Sequence, residues 1–349
     1  MSDSLIGPIK SWLGVAVVTA IGIAILVFVP RVFDLFEVLQ MTQYIVLSVY
    51  ALSLAYIWGF GGILSFGQAG FFGLGGYAFA ISSINMNETT IPFLIAMGIC
   101  FLFAAALGYF MFYGRLNDVY LGVVTLVVTL ILWKLINHTA GPEYVIGEAR
   151  LGGFNGIPSI PIMRVPGTDI EMDPGQMFQY FMGFLIFVYL LLHVLIKSKF
   201  GRVAISIREN EVRTGLLGYD VRLYKLLVFA IGGAIGGAAG ALWATYQTFI
   251  DPNAFSLEMS AKCLIWVMAG GVGTLVGPVL GVIGLQYLSL KLGETDLINN
   301  LIILGSILVV LVLLLPKGIF PTARDLVLKL VPRKSQPEAR VGALKEAEN

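Results

Sequence analysis

The chain has 349 residues, 58% of them apolar and only 12% charged, with a mean hydropathy of +0.88. Soluble domains run about 45–50% apolar and about 25% charged, so a soluble fold of this length is excluded. A net charge of +1 gives no basic footprint for nucleic acid, and continuous apolar runs without period-2 alternation exclude a transmembrane β-barrel. What remains is an all-α, polytopic helical membrane protein.

Ten apolar segments follow one another, at roughly 12–29, 42–58, 68–84, 91–113, 119–136, 176–196, 226–247, 260–276, 277–291 and 297–315. A helix needs about 20 residues to cross ~30 Å of hydrocarbon. The first segment has no small-x-small site before Pro30–Arg31 and reads as a span, not a leader. The stretches around 59–76 and 260–284 are dense in glycine and read either as crossings or as re-entrant hairpins, which gives about 8–10 transmembrane helices. Residues 1–330 form a single transmembrane domain, followed by a charged tail over 331–349.

Orientation follows from lysine and arginine. The 29 residues 197–225 carry seven basic side chains (Lys197, Lys199, Arg202, Arg208, Arg213, Arg222, Lys225) against Glu209, Glu211 and Asp220. The tail adds Lys317, Arg324, Lys329, Arg333, Lys334, Arg340 and Lys345. The loop 137–175 instead has Glu143, Glu148, Asp169, Glu171 and Asp173 against Arg150 and Arg164. The acidic loop is expected outside, and both basic segments and both termini in the cytosol.

Forty-one glycines fall largely into clusters at 59–76, 232–240 and 270–281. The middle cluster has the spacing that lets helix backbones approach closely. The outer two are less regular and read as broken helices, with Gly61, Gly62, Gly67, Gly70, Gly270, Gly271, Gly273 and Gly277 as structural positions. Irregular backbone at membrane depth survives only when buried in protein or lining a cavity. Polar and aromatic residues in or beside these clusters (Ser65, Gln68, Phe71, Tyr77, Trp266, Thr274) are the candidates for a translocation path, with ordinary helix packing the other explanation for each. Phe72 is a further candidate wall.

No catalytic or metal-binding constellation is present. His138 and His193 lie at opposite expected membrane faces, Cys100 and Cys263 sit singly in apolar runs, and no G-x-x-x-x-G-K-[ST] occurs. No carboxylate sits in the middle of a span, which argues against proton or sodium coupling. Transport by this chain would therefore draw its energy from another subunit. The basic loop is where that subunit would dock. Residues 203–217 read as one short helix ended by Gly218, with Ile205, Val212 and Leu216 on one face and Glu209–Arg213 as an i, i+4 pair. A groove on a soluble partner fits this cytoplasmic coupling helix better than a membrane-surface position does.

Four blocks then carry a resemblance: GGILSFGQAGFFGLGGYAFA (61–80), GGFNGIP (152–158), FGRVAISIRENEVRTGLLGYDV (200–221) and AGGVGTLVGPVLGVIGLQYL (269–288). Over about residues 40–315 the chain resembles the branched-chain amino acid type permeases of ABC importers, and of the two permease types it is similar to the M-type. The resemblance implies a bacterial or archaeal inner-membrane importer. Its expected partners are an H-type (LivH-like) permease, two ATP-binding subunits, a soluble substrate-binding protein and membrane lipid. ATP and magnesium would be bound by the ATPase subunits, with no cofactor and no catalysis in this chain. By position, Ile205, Arg208, Glu209, Asn210, Glu211, Val212, Arg213, Leu216 and Gly218 would form the ATPase-coupling segment. Leu151-Gly-Gly-Phe-Asn-Gly156 also resembles an element of urea and short-amide permeases, so the substrate stays open between aliphatic amino acids and small amides. A gradient-driven facilitator is the reading from another class.

Overall fold

The computed structural model describes residues 3–168, 170–293 and 305. The expected span at 297–315, apart from Gly305, and the tail 331–349 lie outside the described residues. Among the described residues the helices are α1 (Asp3–Val32), α2 (Leu35–Gly59), α3 (Gln68–Met86), α4 (Thr90–Tyr113), α5 (Asp118–Asn137), α6 (Pro174–Lys197), α7 (Lys199–Glu209), α8 (Glu211–Leu216), α9 (Val221–Gln247), α10 (Leu257–Gly270) and α11 (Val276–Gly293). Six of them, α1, α2, α4, α5, α6 and α9, are long and apolar enough to cross a membrane. The chain is a multi-pass membrane protein.

Burial sorts these helices into a centre and a rim. The apolar windows of α2 and α9 are 72% and 78% buried, whereas those of α1, α4, α5 and α6 are 17–33% buried and present apolar side chains outward. α9 can be central because of its glycines. Gly75 of α3 lies against the backbone of Gly237, Gly240 lies against the Phe72 carbonyl, and Gly233 and Gly237 receive Ala104 and Cys100 of α4. Helices in lipid gain stability from this kind of backbone approach, since burying apolar side chains gives no advantage over lipid tails.

The bundle has an acidic end and a basic end. At the acidic end, loop 138–173 is fastened to neighbouring elements. Strands β1 (Val145–Ile146) and β2 (Ala149–Arg150) pair antiparallel, and β3 (Ile157–Pro158) pairs with β4 (Phe249–Ile250) just beyond α9. The Asn85 amide at the end of α3 donates to the Ile146 carbonyl at 2.8 Å and accepts from the Glu148 N–H at 2.7 Å. Glu88 accepts from the N–H groups of Thr90 and Ile91 at 2.8 Å each, satisfying orphan donors at the start of α4. At the basic end lie the α4–α5 turn and α7–α8.

The glycine-dense segments resolve differently from each other. After Gly59, residues 60–67 leave the helix and climb beside α5, where Thr129 Oγ1 donates to the Gly67 carbonyl at 3.0 Å, before α3 begins. Residues 257–293 form a helical hairpin, with Gly270 packed on Gly277 and Gly281 on the Trp266 carbonyl. α10 has 14 residues and starts inside the bundle. Its Met259 carbonyl meets Tyr50 Oη at 3.4 Å, and Tyr50 lies nine residues before the end of α2, about 14 Å along its axis. The preceding 3-10 turn Pro252–Phe255 sinks in with it, placing the buried Phe255 ring on Gly73 and Tyr77.

Two outcomes follow. Gly240→Ala drives a Cβ into the Phe72 backbone and is expected to cost about 1–3 kcal/mol or more, whereas Gly98→Ala, with open space around it, is neutral or gains up to about 1 kcal/mol of helix propensity; thermal unfolding in detergent compares them. Desolvation pushes the Glu88 carboxyl up, but the Ile91 and Thr90 hydrogen bonds and the Arg164 charge outweigh it, so its pKa is lowered. Its contribution is present above the ordinary carboxylate range and is lost as pH falls through the lowered value. Glu88→Gln should remove that acid-side slope together with about 1 kcal/mol of capping, read by melting temperature against pH.

Candidate functional site

Two helix N-termini meet inside the bundle. The Ala69 N–H, in the first turn of α3, donates to Ser260 Oγ, in the first turn of α10, at 3.1 Å. Ser256 caps α10 by accepting from the Met259 N–H at 3.1 Å. The Gln68 amide donates to Ser53 Oγ at 2.7 Å, and Ser53 donates onward to the Tyr50 carbonyl at 2.6 Å. Around this junction Ser65 Oγ, Gln68 Oε1 and Tyr77 Oη are buried and have no hydrogen-bond partner among the described residues. In hydrocarbon each such group costs several kcal/mol. Both N-termini also present the positive end of their dipoles here.

Phe71 packs edge-on against Phe103 and Phe229, with ring centroids 6.2 and 5.4 Å away. Trp266 lies 6.5 Å from Tyr50, Tyr50 4.7 Å from Phe72, and Phe72 6.1 Å from Trp243, so an aromatic row crosses the core from α10 to α9. The structure thus brings Ser65, Gln68, Phe71 and Trp266 around one junction and sets Tyr77 above it against Phe255. Thr274 is apart from them, its hydroxyl donated to Gly271 in its own turn at 2.9 Å. The space beside Gly67, Gly70, Phe71, Thr125 and Thr129 is too tight for a water molecule. Ser53 and Ser260 were missed in the sequence because serine in an apolar run reads as helix packing, and Ser256 because it precedes the expected segment 260–276. The polar turn Asp251–Ser256 was the available sign of the α10 start.

The basic end corrects the expected coupling helix. Residues 203–217 are not one helix. α7 ends at Glu209, and Asn210 (φ −160°, ψ 100°) turns the chain and caps α8, its side chain accepting from the Arg213 N–H at 2.8 Å. Asparagine competes for backbone donors in this way, which is why it favours caps over helix interiors. The break removes the expected stripe. Ile205 lies on α7, while Val212 and Leu216 lie on α8 and are 74% and 83% exposed; the inward face of α7 is Val203, Ala204 and Ile207. The expected Glu209–Arg213 pair is replaced by Arg208–Glu209, at 2.5 Å. Glu211 instead pairs with Lys225. Gly218 has φ +88°, the left-handed position after α8.

Arg208 is the contact that joins this segment to the glycine turns. Its Nη1 donates to the Gly59 carbonyl. A Cβ at Gly62 (φ +71°) would lie 2.7 Å from Arg208 Cγ, and one at Gly59 would lie 2.7 Å from the Gly273 nitrogen. The turn after α2 and the turn after α10 therefore touch each other, and Arg208 is seated against both. Among the described residues no group of three His, Cys, Asp or Glu could hold a metal ion.

The sequence that builds this arrangement matches a known family. Residues 38–315 fit the family described as branched-chain amino acid transport system / permease component. The chain belongs to this family. The match begins within α2 and takes in both glycine turns and the whole of α7–α8. Relatives include the high-affinity branched-chain amino acid transport system permease protein LivM of Escherichia coli (strain K12), 29% identical over 79% of this chain and 68% of the relative. LivM of Salmonella typhimurium (strain LT2) is 28% identical over 81% and 69%. The probable branched-chain amino acid transport permease protein LivM of Methanocaldococcus jannaschii is 29% identical over 64% and 66%. No solved structure matches significantly.

For this permease-family chain, removing the Arg208 guanidinium frees both turns. A hydrogen bond to a charged group is worth about 1.5–3 kcal/mol, so amide exchange at 59–63 and 271–275 should speed up about tenfold or more in Arg208→Ala. Exposed Arg213→Ala should leave it unchanged; hydrogen-exchange mass spectrometry reads both.

Proposed function

We propose that this chain is the M-type permease subunit of a binding-protein-dependent ABC importer for branched-chain or related aliphatic amino acids, in a bacterial or archaeal inner membrane. The names of its relatives support the substrate class. The excess of basic side chains on α7–α8 supports a cytosolic basic end, and the acidic loop 138–173 an external acidic end. A second, H-type permease would lie alongside, the binding protein would deliver substrate at the acidic end, and two ATPase subunits holding ATP and magnesium would dock at the basic end.

The observation that carries this reading is the seat of Arg208. α7–α8 expose Val212, Leu216 and Leu217, at 74%, 83% and 72%, as an apolar patch for a partner groove. Through Arg208 the same segment grips the turns that end both broken units. A push on α7–α8 is thereby delivered to residues 60–67 and 271–275, whose far ends lead to the α3–α10 junction. Separation there would expose Ser65 and Gln68, whose open hydrogen-bonding capacity and two helix N-termini suit the polar groups of an amino acid.

The test is uptake in proteoliposomes holding the whole importer. Wild type should take up leucine only with ATP. Arg208→Glu should reduce uptake about 100-fold or more while the ATPase subunits stay bound, since it places like charge against a carbonyl oxygen. Leu216→Asp with Leu217→Asp should instead release the ATPase subunits. Leucine uptake by this chain alone, driven by a gradient, would establish a facilitator and overturn the importer.

A further inference from the structure

A cavity of about 300 Å³ opens at the acidic end, lined by Trp243, Gln247, Phe249, Ile250 and Asp251. That volume is at the lower end of small-ligand sites. Its chemistry is specific. Asp251 is half-buried, and one carboxylate oxygen accepts from the Asn253 amide at 2.7 Å. Among the described residues no basic side chain forms an ion pair with it. A carboxylate with acceptor capacity to spare therefore lines the same space as the aromatic residues Trp243 and Phe249. Carboxylate and aromatic faces together favour a compact cation: the first supplies charge and hydrogen-bond acceptors, the second attracts through the ring quadrupole. The exposed Gln247 adds an amide on the same wall.

The position is as informative as the lining. Ile250 fills the notch over Gly76 of α3, so the cavity floor rests on the helix that starts at the buried junction. Trp243 heads the aromatic row through Phe72 and Tyr50 to Trp266.

We propose that this cavity receives the ammonium group of the incoming substrate, with Asp251 as its counter-ion and Trp243 and Phe249 as its aromatic walls. The site selects small zwitterions bearing a primary ammonium over uncharged amides such as urea. This rests on the proposed function in taking the acidic end as the external face.

The test uses 3-methylbutylammonium, which keeps an ammonium and a branched apolar chain but lacks a carboxylate. Titrated into the purified whole importer, it should give a saturable tryptophan fluorescence change that disappears in Trp243→Phe. In Asp251→Asn the midpoint should rise about tenfold, and in Asp251→Glu it should stay within about threefold of wild type. Urea should give no response. Leucine uptake should fall by a similar factor in Asp251→Asn, with the ATPase subunits still bound. No saturable response from wild type, an unchanged midpoint in Asp251→Asn, or an equal response to urea overturns the inference. If wild type imports leucine and Asp251→Asn imports it equally well, the cavity assignment falls and the importer stands. If wild type imports urea and no amino acid, the substrate reading falls, and the cavity assignment with it.

Discussion

The constraint on which the rest depends is that a helix unwound inside hydrocarbon must have its freed backbone groups satisfied by protein. Among the described residues the chain leaves helix within its bundle at 60–67 and at 271–275, and starts α3 and α10 below its acidic end. The freed groups find partners in a few side chains: Thr129 for the Gly67 carbonyl, Ser260 for the Ala69 N–H, Arg208 for the Gly59 carbonyl. Each of these comes from a different helix. The broken segments are therefore held by the assembled bundle and by no single neighbour.

That dependence explains the central position of α9. Its glycines let α3 and α4 approach to backbone contact, which sets α3 where its first turn can reach Ser260. Packing and polar satisfaction are thus one problem here. A side chain added at the α3–α9 seam moves a helix whose N-terminus is already committed to a hydrogen bond, and the effect travels to the junction. Ser65 and Gln68 oppose this tightness, since Ser65 Oγ and Gln68 Oε1 are buried without a hydrogen-bond partner among the described residues, which is unfavourable.

The same logic makes Arg208 a structural tie between α7 and the turn after α2. Long and forked, it spans from α7 to a backbone carbonyl at the bundle's end. Lysine would supply the charge without the planar fork that lets Nη1 reach Gly59 while Nη2 and Nε hold Glu209. Two turns far apart in the chain lie against one side chain because their backbones already touch.

The sequence by itself determined that this is a helical membrane protein with an acidic and a basic end, because hydropathy and charge act locally and add along the chain. The left-handed Gly218 after α8 was legible for the same reason: a helix stop is set within one turn of sequence. What only the tertiary structure decided depends on contacts across about 150 to 210 residues of sequence, such as Arg208 with Gly59, Ala69 with Ser260 and Gly59 with Gly273. The α7–α8 break shows the boundary between the two. Asn210 is a strong local cap, yet the helical pattern of its apolar neighbours concealed the break, and only the fold shows Val203, Ala204 and Ile207 turned inward while Val212 and Leu216 face out. Periodicity records which residues could share a face, and packing decides which of them do.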